Sequence, residues 1–310
     1  MWHKDLSGGY VLSHVVEADE DRWMIKDIAK KRLIVSMRQL RLLRYGGVVR
    51  RNGCAAFLTA RADAGDRLEF CWPAPTDSEI ESEQMPLTII HEDDDILVID
   101  KPPGIVVHPT GSYQTGTLAA GILYYLRQSG HRGAFHPVHR LDKDTSGVIL
   151  IAKHRMAHRL LDLQIKRRLI RRTYCAVIST HLYPSTGTIT TPIARDQNHP
   201  VRRIVSDCGY AAHTDYTTTE TYVGGSLLTL SLGTGRTHQI RVHLQSIGAP
   251  IIGDTLYGST SLWIGRQALH ATDLAFTHPL TGCELHLSCP LPKDIMELLE
   301  HIKISASEVR

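Results

Sequence analysis

Apolar positions change their spacing several times along the chain, and each change marks a new element. Ile25, Ile28 and Ala29, then Met37, Leu40, Leu42 and Leu43, recur near one helical turn, which predicts two short helices. Gly46-Gly47-Val48-Val49, the pair Asn52-Gly53 and the stretch from Ala64 to Phe70 follow, with glycines that permit tight turns between short strands. Between Pro73 and Pro86 the chain is rich in proline, serine and acids and poor in apolar residues. The pattern therefore predicts a small α+β domain over 1–72, a linker over 73–86 and a larger domain over 87–310.

In the larger domain, apolar residues on either side of Glu92-Asp93-Asp94 read as a strand, an acidic turn and a second strand ending at Lys101-Pro102-Pro103-Gly104. Thr117 can cap a helix carrying Leu118, Ile122, Leu123 and Leu126, and Met156, Leu160, Leu161 and Ile165 form another stripe. Ile240 and Leu244, with Gly248 beyond, predict a helix that has Arg241 near its middle. Residues 293–302 read as a last amphipathic helix. Short apolar or alternating stretches at 148–152, 173–178, 226–232 and 269–276 lack regular strand-helix-strand spacing. The expected fold class is α+β, with a mixed, mainly antiparallel β-sheet.

A length of 310 residues with 42% hydrophobic content accommodates two cores. Net charge is only +3, so the distribution of charge is more informative than its sum. From Arg22 to Arg51 ten basic residues face Asp27 alone, and Lys30, Lys31, Arg41 and Arg44 are the candidates there for meeting phosphates. A second basic run extends from Lys153 to Arg172. The six cysteines include no C-x-x-C pair, so buried, reduced thiols are expected. Charges interrupt every hydrophobic stretch, which predicts no membrane span and a cytoplasmic protein. His238 and His243 lie five apart with no obvious third ligand, so no metal is expected.

The chemistry concentrates between His136 and Gly147, a polar loop that feeds directly into the apolar run Val148 to Ala152. A carboxylate there, with basic neighbours and the donors Thr145 and Ser146, is suited to act as nucleophile or base. Spacing alone leaves Asp142 and Asp144 as equal candidates. Tyr174, in a strand rich in valine and isoleucine, reads from pattern alone as a core residue.

Five segments carry a resemblance that goes further. His139 to Gly147 (H-R-L-D-K-D-T-S-G) resembles the second motif of RluA-type RNA pseudouridine synthases, and Asp95 to Pro109 (D-I-L-V-I-D-K-P-P-G-I-V-V-H-P) is similar to their leading motif. Arg172 to Val177 resembles a third element, with arginine where lysine is commoner. Gly235 to Leu244 followed by Gly253 to Gly258 (G-D-T-L-Y-G) looks like the long third motif, and Arg266 to Ala271 resembles the end of the catalytic domain. The N-terminal region more loosely resembles a ribosomal-protein-S4-type RNA-binding module.

The resemblance implies a pseudouridine synthase fold, Asp142 as the catalytic acid, Tyr174 as the aromatic at the target base, and Arg241 as the partner of Asp142. It also implies contact of Arg140, Thr145, Arg236, His238, Gln239 and His270 with RNA. The implied reaction breaks the N1 glycosidic bond of a uridine, turns the base and joins C5 to the ribose, with no redox change, so no cofactor is expected. Asp142 would either attack C1′ or remove a C2′ proton, and the sequence leaves both open. Large-subunit (23S) ribosomal RNA is the leading expected substrate and transfer RNA the next, with the protein acting as a monomer. The rival readings are a glycoside hydrolase using Asp142 and Asp144 as a pair, and a non-catalytic RNA-binding or ribosome-assembly protein.

Overall fold

The computed structural model describes residues 2–4, 10–73, 79–111, 113–130, 134–258 and 260–304. Contacts divide the chain into two units, Met1–Asp77 and Ser78–Arg310. The first holds β1 (Trp2–Lys4), β2 (Tyr10–Val15), α1 (Ile25–Lys31), α2 (Met37–Gly46), β3 (Val48–Arg51), β4 (Cys54–Ala55) and β5 (Arg67–Trp72). Its strands lie in the order β1-β2-β5-β3-β4. Ile25, Ile28 and Ala29 of α1 and Leu40 and Leu43 of α2 pack with Val49, Leu68 and Phe70 of the sheet. Ser36 caps α2 by accepting from the Gln39 N–H at 3.2 Å, while the Gln39 side chain reaches back to the Ser36 N–H at 2.8 Å.

The second unit begins with β6 (Thr88–Glu92), β7 (Ile96–Lys101), α3 (Leu118–Gln128), β8 (His136–Pro137), β9 (Ser146–Ala152) and α4 (Arg155–Lys166). It continues with β10 (Arg171–Ile178), β11 (Thr186–Ile189), β12 (Ile193–Arg195), β13 (Arg203–Val205), β14 (Thr214–Tyr222) and β15 (Gly225–Leu232). It ends with α5 (Gln239–Ser246), β16 (Leu269–Thr277), β17 (Glu284–Ser288) and α6 (Lys293–Ile304). A ten-stranded sheet runs β11-β14-β15-β10-β16-β9-β7-β6, with β8 beside β9 and β17 beside β16. Its one parallel pair among the described residues is β9 with β16, so the class is α+β with a mixed, mainly antiparallel sheet.

Strand β9 is buried along its whole length because both faces of the sheet are covered. Ile149 and Ile151, with Leu97 and Ile99 of β7, face a cluster that includes α3, α5 and α6. Val148, Leu150 and Ala152 face the other side, with Ile96, Val98 and the Ala157 and Leu161 of α4. Each fully buried isoleucine here stabilises the fold by about 1.5–3 kcal/mol. The predicted cap is present: the Thr117 Oγ accepts from the Ala120 N–H at 3.3 Å.

Gly147 sets the depth of the sheet beneath the polar loop. At φ +111° it lies opposite Ala271, and a Cβ there would come within 2.2 Å of the Ala271 carbonyl oxygen. Glycine thus lets β9 and β16 approach at the point where the loop from His139 to Thr145 ends.

Three expectations change. Residues 80–85, read from composition as part of a linker, are packed within the second unit. Ile80 joins its core, Met85 lies over Gly121, and the Glu83 carboxylate accepts the Gly116 N–H at 2.8 Å. Arg241 is the third residue of α5 rather than a mid-helix residue. Of the six cysteines, Cys54, Cys208 and Cys283 are exposed rather than buried. No helix among the described residues is long and apolar enough to cross a membrane.

Candidate active site

A cleft of about 460 Å3 opens where the loop before β9, strand β10 and the start of α5 converge. Asp142, Thr145, Arg140, Tyr174, Arg236, His238, Gln239 and Arg241 all line it. Asp144, equal to Asp142 on spacing, does not line this cleft.

Two buried cations hold the loop by its backbone. Lys101 is fully buried, and its Nζ donates to the carbonyls of Pro102, Ile105 and Lys143 at 2.7, 3.0 and 2.9 Å. Burial lowers its pKa to about 7. The three carbonyls pull the other way, because only an ammonium has a proton for each. Arg266 Nη1 donates to the Asp144 carbonyl at 3.0 Å, while its Nε and Nη2 hold both oxygens of Asp294 at 2.6 and 2.9 Å. With Lys143 and Asp144 fixed this way, the preceding Asp142 side chain is presented to the cleft.

Arg241 organises the charge. Its Nε and Nη2 donate to the two carboxylate oxygens of Asp254 at 2.7 and 2.9 Å, and its Nη1 reaches Asp142 Oδ2 at 3.0 Å. The Asp254 side chain is fully buried, that of Arg241 is 9% exposed and that of Asp142 25% exposed. The two carboxylates raise the arginine's pKa against its burial, so the guanidinium is always charged. One carboxylate thus anchors the arginine inside the fold and the other stands at the cleft. Asp142 Oδ1 has no hydrogen bond to the described residues and is available to a substrate.

Tyr174 is 4% exposed and belongs to the core, yet one side of it forms the cleft wall. It follows a register shift between β10 and β16 at Thr173 and Tyr174. Burial raises its pKa, with Asp142 adding to the rise and Arg172 opposing it, so it is a neutral phenol near neutral pH. His238 lies in the left-handed region at φ 58°, just before α5, which turns its ring toward the cleft. Its Nε2 is 4.0 Å from Asp142 Oδ2 and its Nδ1 is 2.9 Å from the Tyr257 hydroxyl. Burial lowers the pKa of His238.

The other expected RNA-facing residues divide. Arg140 and Arg236 are exposed at the cleft, Arg236 with its Nε donating to the Ala211 carbonyl at 3.0 Å and its guanidinium over the Tyr210 ring. Thr145 is nearly buried and accepts from Gln267 at 3.2 Å. Gln239 is 3% exposed, and its amide serves the protein: it donates to the His213 carbonyl and Thr214 and accepts from Thr234 and the Arg236 N–H. His270 is fully buried between Ser146 and Cys289, and burial lowers its pKa to about 4. Gln239 therefore stands at the cleft lining with its amide engaged by the protein, while His270 lies in the interior, outside that lining. In the first unit Lys30, Lys31, Arg41 and Arg44 are exposed, with Lys31 over the Trp23 ring and Arg44 over Tyr45.

Asp254, Tyr257, Lys101 and Arg266 were passed over as site-forming residues. Gly253 to Gly258 was the available signal, since an acid and a tyrosine three positions apart in a glycine-bounded turn suit partners for a buried cation. Asp93, Asp95 and His278 also converge, away from the cleft lining. There His278 Nδ1 accepts the N–H groups of Leu280 and Thr281, so the ring proton is on Nε2, 3.1 Å from Asp93. That nitrogen has no lone pair for a metal and presents its proton beside the carboxylates of Asp93 and Asp95.

A family model described as RNA pseudouridylate synthase matches residues 95–246. The chain is 44% identical over 236 residues to an uncharacterized RNA pseudouridine synthase of Bacillus subtilis, YhcT, covering 76% of this chain and 78% of that one. It is 41% identical over 236 residues to ribosomal large subunit pseudouridine synthase D of Nitrosomonas europaea, covering 73% and 68%. The solved structure of human RNA pseudouridylate synthase domain containing 4 matches with a TM-score of 0.57 at 27% identity, over 69% of this chain and 92% of that one. The chain belongs to the RNA pseudouridine synthase family, whose members are isomerases of uridine in RNA. Within it the chain is of the RluA type, with the large-subunit synthases D among its relatives.

Proposed function

We propose that the protein isomerises uridine to pseudouridine in large-subunit ribosomal RNA, with Asp142 as the catalytic carboxylate. The observation that carries this reading is the bridge from Asp254 through Arg241 to Asp142. It leaves one carboxylate oxygen free at a cleft large enough for a single nucleotide. A uridine stacked within RNA does not present its ribose to a cleft, so it enters extruded, at a cost of a few kcal/mol offset by contacts to its neighbours. As the N1–C1′ bond breaks, its electron pair leaves with uracil and positive charge develops on the ribose, which the ionised Asp142 stabilises. Direct attack at C1′ and proton removal at C2′ both use that same carboxylate. Arg241 holds it in place, and Tyr174 supplies a packing surface for the turning base. Because Tyr174 is a neutral phenol, it acts as a hydrogen-bond donor rather than as an ionised base.

The ribosomal assignment is supported by relatives named ribosomal large subunit pseudouridine synthase D, 37–41% identical to this chain. The first unit, which resembles a ribosomal-protein-S4-type module in sequence, contributes RNA affinity through Lys30, Lys31, Arg41 and Arg44. Pseudouridine mapping in ribosomal and transfer RNA from cells with and without the protein tests this reading. Loss of one or more large-subunit sites is the expected result. Loss confined to transfer RNA would overturn the substrate assignment and leave the chemistry in place.

A further inference from the structure

The Tyr257 side chain is 7% exposed and lies among the groups that hold Asp142. Its hydroxyl is 2.7 Å from the backbone nitrogen of Arg203 and 2.9 Å from His238 Nδ1. Its ring lies 5.1 Å from the Arg241 guanidinium and meets the His238 ring edge-on at 5.6 Å. These contacts fix where the protons are. A backbone N–H can only donate, so the Tyr257 oxygen accepts from Arg203. That leaves the hydroxyl's single proton to place, and His238 Nδ1 is its acceptor among the described residues. The opposite assignment, with Nδ1 protonated and donating, would strand the phenolic proton in a buried site, at the cost of an unmade hydrogen bond.

With Nδ1 accepting, the proton of a neutral imidazole is on Nε2, the nitrogen 4.0 Å from Asp142 Oδ2. The alternative tautomer would turn a nitrogen lone pair toward an anion. We propose that Tyr257 is a positioning residue that fixes His238 as its Nε2–H tautomer, giving Asp142 a neutral hydrogen-bond donor alongside the charged Arg241. A small rotation of the ring brings that donor to hydrogen-bond distance when a nucleotide fills the cleft. Asp142 and Arg241 face His238 from the loop and from α5, and Arg203, Asp254 and Tyr257 face it from β13 and the turn after α5. Burial, the largest influence on His238, favours its neutral form. The inference rests on Asp142 being the catalytic carboxylate, and it gives Tyr257 and His238 separate tasks within that site.

The test uses the full chain labelled with 15N histidine and imidazole proton–nitrogen correlation spectra at pH 7.5, with His238 assigned by its absence in His238→Gln. The expected wild-type pattern is Nε2 protonated and Nδ1 bare. In Tyr257→Phe, which keeps the ring beneath Arg241, a population protonated on Nδ1 should appear. The single-turnover rate should fall roughly two- to tenfold, the worth of one neutral hydrogen bond, with half-saturating RNA concentration unchanged. Wild-type His238 protonated on Nδ1 would overturn the inference, as would a Tyr257→Phe protein with unchanged tautomer and rate. Asp142→Asn run in parallel separates the two claims. Full activity there refutes the catalytic reading whatever the spectra show, whereas its loss beside a tautomer insensitive to Tyr257 refutes only the inference.

Discussion

Replacing Asp254 with asparagine tests the claim that Arg241 is anchored from behind. Asparagine keeps the shape and retains Oδ1, which takes Arg241 Nη2 at 2.9 Å and the N–H groups of Leu256 and Tyr257 at 3.1 and 3.2 Å. The other position becomes an amide nitrogen facing Arg241 Nε at the 2.7 Å now spanned by a hydrogen bond, donor against donor. One charge-assisted bond is worth about 1.5–3 kcal/mol, and breaking a buried ion pair costs about 3–5 kcal/mol. Both side chains are less than a tenth exposed, so solvent screens little of this. A destabilisation of about 3 kcal/mol is expected, read as a shift of the urea midpoint at an unchanged wild-type slope. With Arg241 released, the rate should fall roughly 10- to 150-fold, the kinetic equivalent of one such bond. Asp142→Asn should behave oppositely, costing under about 1 kcal/mol because Asp142 is partly solvated and Arg241 keeps its anchor. A stability loss below about 1 kcal/mol for Asp254→Asn with an unchanged rate would refute the anchoring argument.

Acid should destabilise the fold through two buried histidines, since burial lowers the pKa of His139 to about 3 and that of His270 to about 4, from 6.5. With folded values below the unfolded one, their stabilisation is complete above pH 6.5. It is lost as pH falls toward 4, at about 1.4 kcal/mol per pH unit for each, and His270→Asn should remove one such increment from the slope of urea midpoints against pH. Gly147→Ala should cost about 3 kcal/mol or more, or abolish folding of the second unit, because the new Cβ overlaps the Ala271 backbone; a near-wild-type melting temperature would contradict the close β9–β16 approach. Changing Lys30, Lys31, Arg41 and Arg44 together to glutamine should flatten the dependence of log affinity on log salt by about 3 while leaving the rate at saturating RNA intact; an unchanged slope in filter binding would remove these residues from the interface.

Much of the site was legible because its chemistry is local in the chain. The loop from His139 to Gly147 runs into a strand that reads as buried, and the cap at Thr117 and the helix carrying Arg241 follow from spacing. The supports were not legible, because each joins residues far apart in sequence. Lys101 reaches Lys143, Arg266 reaches Asp144 and Asp294, and Tyr257 reaches Arg203. The basic run from Arg22 to Arg51 appeared nearly free of acids, yet acids outside or before it partner several members. Arg22 and Arg51 take Asp63, Arg51 also takes Asp66, and Arg32 takes Asp19 and Glu20. The burial of His270 was not legible, because a motif groups residues by position along the chain, whereas alternation along a strand sends neighbours to opposite faces. Residues 80–85 were misread because backbone and carboxylate hydrogen bonds can hold a segment that has little apolar surface.

The most direct measurement uses RNA tritiated at uridine C5, comparing wild-type protein with Asp142→Asn after confirming that both fold. Isomerisation joins C5 to the ribose and frees its hydrogen, so wild type should release tritium in step with pseudouridine formed. Asp142→Asn should release none above background while binding the same RNA. Release by that variant at the wild-type rate would show that the carboxylate at the cleft is not the group that drives the reaction.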